Sequence, residues 1–191
     1  KYLYINIKNK LFKINIANGK LEKKFGSKGY IDISGSLIAP VIFNNNIYIS
    51  SFSVIAGYDI KNGKEISQIS FHPKKRNFWG AIPWSGSALD KNYGILYLST
   101  GNPRPALVGI NRPGNNHNSN SLIAIDLINN KILWKFQEVS HDLWDYDIAS
   151  PPILTELKIN DKILEVVIVT TKIGNVLIFE RRSGKPLFDI N

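Results

Sequence analysis

Apolar and polar positions alternate in short runs along most of the chain, the period-two pattern of half-buried β-strands. Tyr4-Ile5-Asn6-Ile7 leads to Leu11 to Ile16 and then to Ala17-Asn18-Gly19-Lys20. Ile47-Tyr48-Ile49-Ser50 leads to Gly57-Tyr58-Asp59-Ile60 and then to Lys61-Asn62-Gly63-Lys64. A third unit runs from Ile95-Leu96-Tyr97-Leu98 through Leu122 to Asp126, then Asn129-Asn130-Lys131 and Trp134. A fourth runs from Val167 to Thr170, through Val176 to Glu180, to Ser183-Gly184-Lys185. Each unit reads strand, connection, strand, tight turn, strand. Asn-Gly between alternating apolar runs signals a hairpin, because the turn needs positive φ at residues that tolerate it. Helix signals are almost missing. A sandwich of several hairpins shares these signals, but four similar units anchored on Asn15, Asp59, Asp126 and Glu180 favour radial repetition, so an all-β propeller is expected.

Composition adds that 43% of residues are hydrophobic and 20% charged, a globular balance. The net charge of +9 invites a nucleic-acid or polyanion reading. The lysines are scattered, however, and the densest runs, Lys20 to Lys24 and Lys74-Lys75-Arg76, are interleaved with neither a helix nor an aromatic platform, so nucleic acid is not expected as a partner. With no Cys there is no disulfide, thiolate metal site or haem attachment. A chain that opens in mid-strand at Lys1-Tyr2-Leu3-Tyr4, without Met, reads as a piece of a longer protein. No apolar run approaches the roughly 18 residues of a membrane-spanning helix.

Chemistry concentrates in Ser140-His141-Asp142-Leu143-Trp144-Asp145-Tyr146-Asp147, a loop too dense in ionisable groups for a structural turn. In a four-stranded antiparallel blade, the connection between the second and third strands and the crossover to the next blade emerge on one face. Asn102 and Lys172 sit just beyond second strands, Asp145 lies in a crossover, and Trp84 lies in or next to another, so all four should converge on one mouth. Taken singly, Asn102 is a turn residue beside Gly and Pro, Lys172 a solvated cation, and Trp84 a packing residue. Trp144 and Tyr146 suggest that Asp145 is partly buried.

The Ala124-x-Asp126-x-x-Asn129-Asn130-x-x-x-Trp134 run resembles the tryptophan-docking motif of quinoprotein dehydrogenase propellers. Lys23, Ser67 and Phe188 stand at the tryptophan's place in the other units, so packing there is expected to use other side chains. Thr100-Gly101-Asn102-Pro103, the approach from Asn115 to Ser121, His141-Asp142-x-Trp144-Asp145 and Lys172-x-Gly174-Asn175 follow the order of the same family. From Trp79 to Pro186 the chain resembles the core of a pyrroloquinoline quinone (PQQ) dependent dehydrogenase, closest to the glucose dehydrogenase branch. The resemblance implies an eight-bladed propeller, with residues 1–191 forming about four four-stranded blades of one domain.

It implies that Trp84 is the floor on which PQQ stacks, that Asn102 coordinates Ca²⁺, that Asp145 is the general base and that Lys172 hydrogen-bonds the quinone. The metal set becomes Asn102, Asp145 and Asp147, and Asp147 leaves the ion open between calcium and a lanthanide. The chemistry suits these residue types. Oxidising an alcohol needs a carboxylate within reach of the hydroxyl proton, and Ca²⁺ prefers oxygen ligands. The implied activity is oxidation of a sugar, polyol or alcohol in the periplasm, with electrons passed to a membrane quinone or cytochrome c. Two departures stand out. Ser50-Ser51-Phe52-Ser53-Val54 lacks the metal-binding Glu of alcohol-oxidising members, and Ser36 is the nearest replacement for a Thr expected near Leu37 to Pro40. A non-catalytic repeat propeller serving as an envelope scaffold is the alternative that the missing Glu favours.

Overall fold

The computed structural model describes residues 1–72 and 77–190; the Lys74-Lys75-Arg76 run lies outside them. The chain divides into two compact units, Lys1–Ser70 and Phe71–Asn191. The described secondary structure is β, in antiparallel sheets.

In the first unit, β1 (Tyr2–Ile7), β2 (Lys10–Asn15) and β3 (Tyr30–Asp32) form one sheet in that order. A second contains β4 (Val41–Phe43), β5 (Asn46–Ser50), β6 (Val54–Asp59) and β7 (Glu65–Ser70), also in chain order. In the second unit, a ribbon pairs β8 (Trp79–Gly80) with β11 (Pro103–Arg104). The main sheet there orders β13 (Lys131–Gln137), β12 (Ser121–Asp126), β10 (Ile95–Thr100) and β9 (Pro83–Asp90). β14 (Ile153–Ile159), β15 (Lys162–Thr170) and β16 (Val176–Glu180) make the last.

These four larger sheets correspond to the four sequence units, but only two have four strands. The last reaches a fourth strand only as the isolated bridge Phe179 to Pro186, and in the first Leu21 bridges Ile14 on the side of β2 that β3 occupies. In the first, the chain leaves the β2 edge after Glu22 so that Phe25 can be fully buried.

The same turn closes each hairpin. Gly19, Gly63 and Gly184 donate backbone N–H bonds to Asn15, Asp59 and Glu180, and all three glycines have φ between 67° and 76°. Asn130 takes the corresponding place at φ 54°, because Asn tolerates the left-handed region. The Asp59 and Asp126 carboxylates each accept two backbone N–H groups of their turns. A bulge just before each of these aspartates, at Gly57/Tyr58 and Ala124/Ile125, repeats the match.

Each unit places its core between two neighbouring sheets. Leu11, Phe25 and Ile33 meet Ile47, Ile49, Ala56 and Tyr58 in the first unit. Ile95, Tyr97, Leu122 and Ala124 meet Val167, Val169, Leu177 and Phe179 in the second. Sheets packed on both faces explain why β10 is buried at every position, whereas outer β13 alternates. Trp134 lies over Gly184, where a Cβ would come 2.5 Å from its ring, and its Nε1 donates to Arg181 O at 2.8 Å. In the first unit Phe25, two residues beyond Lys23, covers Gly63, where a Cβ would come 3.2 Å from its ring. Lys13 and Tyr4 donate to Ile60 O there, as Trp134 and Tyr97 donate to Arg181 O in the second.

Candidate active site

All five residues singled out for a site lie in the second unit. Trp84 is near the start of β9, Asn102 follows β10, Asp145 and Asp147 occupy the connection from β13 to β14, and Lys172 follows β15. The Lys172 ammonium lies 2.8 Å from Asp145 Oδ2 and 2.6 Å from Asp147 Oδ2. The other Asp147 oxygen accepts the Asn102 backbone N–H. Trp84 closes the cluster from the side of Gly101: a Cβ there would come 2.5 Å from Asp147 Oδ1 and 2.9 Å from Trp84 Nε1. The two carboxylates differ in access. The Asp147 side chain is 8% exposed and that of Asp145 43%.

Desolvation alone would lower the Lys172 pKa, but the hydrogen bonds it donates to Asp145 and Asp147, with their charges, outweigh it and raise the ammonium above its ordinary value. Lys172 therefore stays protonated at neutral pH.

The loop bearing Asp145 is folded around Asp142. This buried carboxylate accepts the backbone N–H groups of Trp144 and Tyr146 and the Asn120 side-chain amide, each at 2.8 Å. Asn120 also donates to Tyr146 O. Fully buried Arg112 donates to Pro105 O, Ala106 O, Asn116 Oδ1 and Asp142 O, joining the segment after β11 to the Asp145 loop. The sequence reading missed Arg112, Asn120 and Gly101 as individual supports, although the Asn115 to Ser121 run and the Gly-Asn pair contained the last two.

Trp144 departs from expectation. It is 73% exposed and does not enclose Asp145. Asp142 captures the peptide N–H groups on either side of Asp145, which itself has φ 64°, and this geometry turns the Trp144 ring outward. In the first unit, the hydroxyl of Ser36 is bound to Ile38 O, and that of Ser51 to Val54 O.

Asn102 is buried, and its Nδ2 has no hydrogen-bond partner. A half-turn of the amide puts the carbonyl oxygen in that position, a donor suited to a hard cation. Two carboxylates and an orphaned amide fit such an ion in kind. Among the described residues no cluster of three or more His, Cys, Asp or Glu forms a metal cage, so these side chains would supply part of a coordination shell.

Known proteins resemble the chain in sequence and in fold. The family described as PQQ glucose/ethanol/alcohol dehydrogenase, beta-propeller domain, matches residues 51–191. Quinoprotein glucose dehydrogenase of Escherichia coli (strain K12) is 27% identical over 212 aligned positions, covering 92% of this chain and 26% of that protein. Quinoprotein glucose dehydrogenase A of Acinetobacter calcoaceticus is 30% identical, covering 86% of this chain and 22% of its own length. The chain thus spans about a quarter of these relatives. The solved quinohemoprotein alcohol dehydrogenase of Comamonas testosteroni superposes on the whole chain with a TM-score of 0.81 at 22% identity, using 34% of its own length. The chain has the fold of a PQQ-type β-propeller and belongs to the PQQ-dependent quinoprotein dehydrogenase family, as part of its propeller domain.

Proposed function

We propose that the complete protein is a periplasmic oxidoreductase that oxidises the CH–OH group of a sugar, polyol or alcohol and passes electrons to a membrane quinone or cytochrome c. The reading extends to an eight-bladed propeller of four-stranded blades, of which these sheets are a part. The observation that carries it is the Lys172 ammonium held between Asp145 and Asp147 beside Asn102 and Trp84. Trp84, 41% exposed, offers a ring on which PQQ would stack, and Asn102, Asp145 and Asp147 would hold Ca²⁺ or a lanthanide. Bound there, the quinone would supply the two-electron sink.

Differences in access divide the work of the residues. Asp145 is open enough to accept a hydroxyl proton, whereas Asp147 is fixed by the Asn102 N–H and Lys172 and serves to hold the assembly. Lys172 keeps positive charge beside the base and offers donors to an oxygen that gains negative charge. Nearness to glucose dehydrogenases in sequence supports a sugar or polyol as substrate.

The complete protein, purified without cofactor and supplied with PQQ and Ca²⁺, should acquire quinone absorbance and oxidise glucose or an alcohol with a dye acceptor. A spectrum without quinone and a melting temperature unmoved by PQQ would leave the envelope scaffold as the better reading.

A further inference from the structure

Two loops must be held in register for Lys172 to meet Asp145, and Glu138 touches the supports of both. Its backbone N–H donates to Asn120 O at 3.0 Å, and Asn120 in turn binds Asp142 and Tyr146 on either side of Asp145. Its side chain faces the other loop: Oε1 accepts the Thr171 hydroxyl at 2.9 Å and the Asn175 amide at 2.8 Å. Thr171 and Asn175 close the turn that contains Lys172, through Thr171 N–H to Asn175 O and Asn175 N–H to Thr171 Oγ1.

The second Glu138 oxygen, Oε2, is buried and has no hydrogen-bond partner. No cation pairs with this carboxylate among the described residues. Glu138 is half-buried, and an oxygen kept from water without a partner costs stability, so its place here calls for an explanation other than stability. What the two loops use at this position is the acceptor Oε1, shared by Thr171 and Asn175.

We infer that Glu138 is a positioning residue, a clamp that sets the Lys172 turn against the Asp145 loop and so fixes the cation for the cofactor. Glu138 touches none of the proposed reacting groups and acts through Thr171, Asn175 and Asn120. The link to the cofactor rests on the function proposed above; the clamp itself does not.

Hydrogen exchange and PQQ titration of the complete protein test both parts, using Glu138→Ala and Glu138→Gln. In the cofactor-free protein, Glu138→Ala removes two charge-assisted bonds and should speed amide exchange at Thr171 and Asn175 by about tenfold or more. Its affinity for PQQ should fall by about tenfold, as for loss of other groups that orient ligands from behind. Glu138→Gln keeps a carbonyl acceptor for Thr171 and Asn175 and should stay within about twofold of the parent in both measurements. Unchanged exchange at 171–175 in Glu138→Ala would overturn the clamp. Equal damage from Gln and Ala would also overturn it, because negative charge rather than the acceptor would then be what matters. A parent protein that binds no PQQ but shows the expected exchange pattern would support the clamp and count against the enzymatic reading.

Discussion

Asp145 and Asp147 are two residues apart and share one ammonium, yet their surroundings differ. Asp147 has both oxygens engaged, by the Asn102 N–H and Lys172, and little exposure. Asp145 has one oxygen on Lys172 and an open approach. Asp145→Asn keeps the shape and removes basicity, so under the proposed function the complete protein should retain PQQ but lose turnover by about 10²-fold or more, read with a dye acceptor at saturating substrate. Asp142→Asn should act differently. It replaces an acceptor of three bonds with a group that offers only one acceptor oxygen, and it should cost about 1–3 kcal/mol in urea unfolding while leaving the Asp145 carboxylate in the chain. Turnover in Asp145→Asn equal to the parent would remove that residue from the proposed chemistry.

At the scale of elements, the repeated hairpin turn and the ring that covers its neighbour's glycine unite the sheets within each unit. Trp134→Phe removes the bond to Arg181 O and should cost about 0.5–1.5 kcal/mol. Trp134→Ala also leaves a cavity over Gly184 and should cost about 3–5 kcal/mol, both measured as shifts in urea midpoint. Asp126 gives its turn a pH dependence. Burial would raise its pKa, but bonds from the Asn129 side chain and the Asn129 and Ile128 backbones, aided by Lys131, lower it below 3.8. A depressed carboxylate stabilises fully above its unfolded pKa and loses that contribution as pH falls through the folded value. The Asp126→Asn variant should therefore show a shallower decline in stability than the parent as pH drops below about 3.8, seen in urea melts across the acid range. An unchanged slope would mean that the turn does not depend on the ionised form.

For the whole molecule, cofactor and metal should act as ligands of the native state. At a free concentration about 100 times its Kd, a ligand that binds only the folded protein adds about 2.7 kcal/mol. PQQ and Ca²⁺ together should raise the melting temperature of the complete protein, and a chelator should reverse the calcium-dependent part. Trp84→Ala should diminish the rise due to PQQ, whereas Trp144→Ala, at an outward-facing ring, should leave it intact. An equal loss in both variants would argue against stacking on Trp84.

The sequence by itself determined the strands, the tight turns and the family, because these rest on local rules: period-two burial, positive φ at Gly or Asn, and motifs read in order. It also placed Trp84, Asn102, Asp145 and Lys172 at element ends from which they could meet, since blade connectivity follows from strand order. Only tertiary structure decided that Phe25 and Lys13 replace the missing tryptophan's contacts, because the substitutes lie on a displaced turn and a different strand. Tertiary structure alone also turned Trp144 outward, divided the two carboxylates by access, and brought Glu138 to the Lys172 turn. Those outcomes depend on which side chain captures which distant peptide group, and no period or motif along the chain encodes that choice.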